Sequence, residues 1–99
     1  MQMSDEAIGE LTELFKMLGD PTRVRILMAL EQSPLCVQDI AAQLSMTPSA
    51  ISHQLRLLKQ ARLVRSRREG RNIEYAMDDD HIAVLFRQGM HHVTEEKHG

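Results

Sequence analysis

Asp79, His81, His92 and Glu95 place four oxygen and nitrogen donors on one stretch near the C-terminus, and the interval between the two histidines decides how they could act together. At ~100° and ~1.5 Å per helical residue, His81 and His92 fall within about 20° of each other around the axis but ~16 Å apart along it. One helix therefore cannot close a single metal site with both. Two copies packed antiparallel can, with Asp79 and His81 of one chain facing His92 and Glu95 of the other. That geometry predicts a dimer with two symmetric four-donor sites for a first-row ion such as zinc. Asp79 would point the wrong way from within the helix, so it must be the N-cap if its carboxylate is to join His81. The residues alone leave a plainer reading open, since five histidines in 99 residues can align by chance beside an apolar stripe.

A second set of chemically able residues lies in the middle of the chain. Arg56, Lys59, Arg62, Arg65, Arg67, Arg68 and Arg71 are more than half of the twelve basic residues, although the net charge is −2. Acids gather at the two ends instead. A basic middle suits phosphates, and it is equally the composition of a solvated face. Just before and within this stretch, Ser49, Ser52, His53 and Arg56 project from a segment whose Ile51, Leu55 and Leu58 turn inward. Hydroxyls, an imidazole and a guanidinium there can touch base edges and phosphates.

These side chains need elements to hold them. Ser4 is a cap for a first helix marked by Ile8, Leu11, Leu14, Phe15 and Leu18, ending at Gly19. Asp20-Pro21 opens a second helix running to about Leu30, with Val24, Leu27 and Met28 inward and Arg23 and Arg25 outward. A third, from about Val37 to Leu44, is followed by a tight Ser45-Met46 connection. Thr47 then caps a fourth helix from Pro48 to about Gln60. Short helix, turn, helix is the DNA-binding arrangement that inserts its second helix into the major groove, and it is also an ordinary αα-hairpin. After Ala61 the period changes: residues 63–67 and 72–77 read as strands around a Gly70-containing turn. The hairpin makes the unit a winged helix-turn-helix, mainly α, with Arg68 and Arg71 at its tip reaching a phosphate backbone and Arg65 and Arg67 as supporting charges. Beyond it, Ile82, Leu85, Phe86 and Val93 form an apolar stripe on the last helix. Relative to Ile82, His92 sits at about 280° and Glu95 at about 220°, beside the stripe, while His91 at about 180° is opposite and is left out of the ligand set.

Size and composition limit the possibilities. The chain is one small domain, 1–99, with few aromatics and no Trp, so its core must be aliphatic and methionine-rich, as in packed helices. Its single Cys excludes an internal disulfide and agrees with a reducing compartment. No leader or long apolar run stands out, so a cytoplasmic protein is expected. An enzyme is not expected: four protein donors leave no open metal position for water, and no Ser/His/Asp or Cys/His set appears.

The stretch Leu35-Cys36-Val37-Gln38-Asp39-Ile40, then Ser49-Ala50-Ile51-Ser52-His53-Gln54-Leu55-Arg56, Leu63-Val64, Gly70-Arg71 and Tyr75 resembles the ArsR/SmtB family of metal-sensing repressors, over nearly the whole chain from about Leu14. Asp79, His81, His92 and Glu95 resemble the interhelical site of its zinc-sensing branch. The resemblance implies a homodimer packed through its N- and C-terminal helices. Its metal-free form would bind an inverted-repeat operator and its zinc-bound form would release it. It further implies that His92 ligates through one nitrogen and directs the other to a main-chain carbonyl at or near Arg62, an allosteric relay. Expected partners are operator DNA and a second copy, with neither a membrane nor a small organic substrate. Cys36 followed by Gln38 departs from the Cys-x-Cys of thiolate-using members, and Cys36 is expected to be a buried small apolar group. Glu96 and His98 offer further donors, so a nickel or cobalt sensor of the same fold remains the alternative, as does a metal-independent winged helix.

Overall fold

The computed structural model describes the backbone of residues 2–98 and the side chains of residues 2–95. Three of the first four helices start where a short polar side chain takes an orphaned amide. Helix α1, Asp5–Leu18, is capped by Ser4, whose Oγ accepts from the Ala7 N–H at 3.1 Å. Asp5 and Glu6 lie in its first turn and Lys16 in its last, each favourable to the helix dipole. Helix α2, Pro21–Gln32, has Asp20 as N-cap and Pro21 in its first turn. Helix α3, Val37–Leu44, and helix α4, Pro48–Gln60, form the helix-turn-helix pair, with Thr47 Oγ1 accepting from the Ala50 N–H at 3.1 Å.

Both helices of that pair end in the same way. Ser45 adopts φ 56°, Met46 N–H donates to Ala41 O at 3.0 Å, and Ser45 N–H donates to Ala42 O. At the end of α4, Arg62 adopts φ 61°, Leu63 N–H donates to Leu58 O at 2.9 Å, and Arg62 N–H donates to Lys59 O at 3.0 Å. These are Schellman closures, with Ser and Arg in the left-handed position that glycine usually fills.

Three strands complete the chain before the last helix: β1 Leu35–Cys36, β2 Val64–Glu69 and β3 Asn72–Met77, in the order β1-β3-β2, all antiparallel. The β2/β3 register pairs Val64 with Met77 and Glu69 with Asn72, leaving Gly70 (φ 62°) and Arg71 as a two-residue turn. Arg71 is therefore at the tip, whereas Arg68 sits within β2 opposite Ile73. The two-residue β1 was not expected. Helix α5, Asp80–His98, follows β3 directly.

The core consists of Ile26, Leu27 and Leu30 from α2, Ile40 and Ala41 from α3, Ile51, Leu55 and Leu58 from α4, and Leu63, Val64 and Met77 around the hairpin base. Met28, expected inward, is 46% exposed while Ile26 is fully buried. Two residues turn a helix by about 200°, and the inner face of α2 is fixed by its packing on α3 and β3. Helix α1 buries no residue. Its expected single face is split: Leu14, Met17 and Leu18 lean on the core, and Ile8, Leu11 and Phe15 stay exposed. On α5, Ile82 and Phe86 pack on the core, but Val84, Leu85 and Val93 are exposed. No helix among the described residues is long and apolar enough to cross a membrane.

Candidate nucleic-acid interface and metal site

The burial of Ile51, Leu55 and Leu58 fixes which side of α4 faces out. At ~100° per residue, Ser49, Ser52, His53 and Arg56 span an arc of about 100° opposite those three. Ser49, His53 and Arg56 are exposed and Ser52 is half-buried at the edge of the arc. The intervening Gln54 has a different task. Its Oε1 accepts from Arg23 Nε at 3.2 Å, and the same guanidinium donates to the Met17 carbonyl at 3.3 Å. Arg23, expected outward, is a half-buried brace joining the end of α1 to the outward-facing helix.

The hairpin stands beside α4 and is fastened to it: Lys59 Nζ donates to Ser66 Oγ at 2.7 Å. Strand alternation places Val64, Ser66 and Arg68 on the face toward α4 and Arg65, Arg67 and Glu69 on the other. The two arginines expected as supporting charges both have partners within the chain. Arg67 is ion-paired with Glu69, and Arg65 donates through Nη1 to the main-chain carbonyl of Asp78. Strand spacing puts Arg67 and Glu69 on one face, whereas the Arg65 link depends on a partner thirteen residues away that the hairpin brings back.

Asp79 is where the geometry of the four donors requires it. Its Oδ1 accepts from the Ile82 N–H at 3.0 Å and its carbonyl accepts from Ala83, so it caps α5. His81 Nδ1 stands 3.9 Å from that Oδ1, with His81 97% exposed, so a half-site of two donors opens to solvent at the start of the helix. His92 and Glu95 lie three turns further along the same helix. Among the described residues, no group of three or more His, Cys, Asp or Glu side chains converges within one chain. The Asp79/His81 pair and the His92/Glu95 pair therefore stand apart along one chain. Glu96 and His98 have side chains outside the described set.

Arg62, the expected relay partner, is exposed and lines the groove between α1 and the end of α4 with Glu10, Leu14, Met17 and Ala61. Its left-handed backbone turns the chain from α4 into β2. Cys36 departs from the expectation of a buried apolar group. It is half-buried at the start of α3, and its thiol donates to Asp39 Oδ2 at 3.3 Å. One thiol per chain cannot assemble a three-sulfur site.

Known proteins share this arrangement. Residues 20–66, which hold α2 through the first strand of the hairpin, match the model of the arsR family of bacterial regulatory proteins. A transcriptional repressor SmtB homolog of Synechocystis sp. is 43% identical over 93 residues, taking in 94% of this chain and 70% of that protein. The crystal structure of the AntR antimony-specific transcriptional repressor superposes with a TM-score of 0.86 at 36% identity, covering 100% of this chain and 90% of that one. The homodimeric winged helix-turn-helix DNA-binding domain of Mb0332 from Mycobacterium bovis superposes with a TM-score of 0.83 at 29% identity, covering 97% and 90%. With its family segment, its near full-length relative and its winged helix-turn-helix all in agreement, the chain belongs to the arsR family of bacterial regulatory proteins, which are transcriptional regulators and not enzymes.

Proposed function

We propose that this regulator is a homodimeric repressor that binds an inverted-repeat operator when metal-free and releases it when zinc binds. In this reading Ser49, Ser52, His53 and Arg56 of each α4 enter successive major grooves, while Arg68 and Arg71 of each hairpin hold the flanking phosphates. Asp79 and His81 of one α5 meet His92 and Glu95 of the other, twice per dimer. Zinc, when bound, would crosslink the two helices through these carboxylates and imidazoles. The Asp79 carboxylate keeps the helix start ordered while offering its second oxygen, and His92 orients its far nitrogen toward the Arg62 carbonyl, fixing the imidazole and touching the chain where α4 passes into the wing.

The observation that carries this reading is continuity: Met77 ends the wing, and Asp79, two residues on, caps the helix bearing the other three candidate ligands. The relatives support the repressor role and the dimer by their own descriptions. Zinc is favoured over thiolate-seeking ions such as antimony because one half-buried Cys per chain cannot supply the sulfurs. Thermodynamically, a sensor needs zinc to bind the free dimer more tightly than the DNA-bound one, and DNA then weakens zinc by the same factor.

The test is operator binding by the purified protein titrated with zinc, cobalt and nickel, alongside the cobalt absorption spectrum. The reading expects loss of DNA affinity with zinc and intense four-coordinate cobalt bands. A weak spectrum with a stronger nickel response would move the assignment to a six-coordinate sensor, and equal affinity with and without metal would make the protein a constitutive DNA binder.

A further inference from the structure

Asp78 is the hinge between the wing and the ligand-bearing helix, and both of its main-chain groups are tied to β2 and the residue before it. Its N–H donates to the Leu63 carbonyl at 3.0 Å, and its carbonyl accepts from Arg65 Nη1. The next residue is Asp79, whose Oδ1 is committed to the Ile82 amide and stands 3.9 Å from His81 Nδ1. One peptide link thus separates a candidate metal ligand from a side chain of the wing.

We propose that Arg65 is a positioning residue that makes the wing follow the Asp79/His81 half-site, giving the metal a route to DNA separate from the one through His92 and Arg62. It rests on the zinc-responsive reading above. Because Oδ1 holds the helix cap, drawing the Asp79 carboxylate toward an ion shared with a second chain displaces the Asp78-Asp79 peptide along with the side chain. The Asp78 carbonyl is anchored to Arg65, so that displacement is delivered to the start of β2, two and three residues before Arg67 and Arg68 on the same strand. Arg67 is the internal comparison. It lies on the same outward face of the same strand, carries the same charge, and is ion-paired with Glu69 in place of Asp78.

Arg65→Gln and Arg67→Gln each remove one positive charge from the hairpin, so both are expected to weaken DNA binding. Only the first breaks the link to Asp78. The measurement is the ratio of metal-free to zinc-saturated affinity, for wild type and both variants, on a duplex selected from a random pool by the metal-free wild-type dimer. Amide hydrogen exchange of residues 63–79 with and without zinc chloride, in the absence of DNA, accompanies it. Arg65→Gln should shrink the ratio by roughly 2- to 30-fold, the range seen when a coupling residue is removed. It should also erase any zinc-induced change in exchange within the hairpin, while zinc affinity of the DNA-free dimer is retained. Arg67→Gln should keep the wild-type ratio.

An unchanged ratio in Arg65→Gln beside a normal wild-type response would overturn the Arg65 assignment and leave the sensor reading intact. A ratio reduced equally in both variants would also overturn it, by tracing the effect to hairpin charge. A wild-type dimer that binds operator but shows no zinc response would overturn the sensor reading and this proposal together.

Discussion

In the proposed complex the side chains on the outward arc of α4 and those of the hairpin play different parts. Base-edge contacts discriminate sequence and phosphate contacts do not. Ser52→Ala and His53→Ala should each weaken the specific complex by ~1–3 kcal/mol and relax preference at the contacted position. Arg71→Ala and Arg68→Ala should weaken binding to all sequences and reduce its salt slope, by about one unit per lost contact. Binding titrations over several salt concentrations and a panel of operator variants separate the two patterns. The reverse pattern would mean that the hairpin, and not α4, reads the bases. His92→Ala should leave metal-free operator affinity nearly intact while abolishing its loss with zinc, because the proposed function has that imidazole both ligate and relay. Cys36→Ser should respond to zinc as wild type does, since the thiol's contact is with Asp39 and not with any of the four candidate metal donors.

Among the elements, the helix-turn-helix depends on two non-glycine residues held at positive φ. Ser45 and Arg62 occupy the left-handed position that closes α3 and α4, a conformation costing an L-residue roughly 1 kcal/mol or more. Ser45→Gly relieves that strain and loses some of the gain to the greater freedom of glycine when unfolded, so thermal or denaturant unfolding should show a stabilisation of up to ~1 kcal/mol. Destabilisation would mean that the Ser45 side chain contributes to the turn. Leu55 is fully buried between α2, α3 and the hairpin base, and Leu55→Ala should cost ~2–5 kcal/mol. For a domain of this size that is a large part of the total stability. The recognition arc therefore cannot be loosened from beneath without unfolding the domain.

Taken whole, the chain is too apolar at its two ends to stand alone. Phe15 is 55% exposed and Val93 56%, with Ile8 and Leu11 beside the first and Val84 and Leu85 along the helix of the second. Exposed apolar side chains along these two helices are what a second copy would cover. Sedimentation of the metal-free protein should give a dimer at micromolar concentration, and Phe15→Glu should shift it toward monomer with loss of both operator and zinc binding. A metal-free monomer of the wild type would sink the interchain site, because neither half-site has enough donors by itself. Zinc and operator DNA should also antagonise each other symmetrically, so that calorimetric zinc affinity falls on adding operator by the same factor as DNA affinity falls on adding zinc.

Local chemistry wrote much of this molecule directly. Ser4, Asp20 and Thr47 mark helix starts because their oxygens satisfy amides within three residues, and Gly70 marks the hairpin because its turn needs positive φ. The outward arc of Ser49, Ser52, His53 and Arg56 followed from helical phase alone, and Asp79 as a cap from that phase joined to the expectation that its carboxylate meets His81. What needed the tertiary structure were features whose partner lies far along the chain. Strand β1 is two residues long and exists because β3 offers it an edge. The inner face of α2 centres on Ile26 and not on Met28, because α3 and β3 choose it. Arg23 bridges to Gln54, thirty-one residues away, and Arg65 is taken up by Asp78, thirteen residues away. Spacing along a helix or strand is set by backbone geometry and can be read from one segment. Which guanidinium is left for phosphate and which braces the fold is set by the meeting of segments, and only the folded chain decides that.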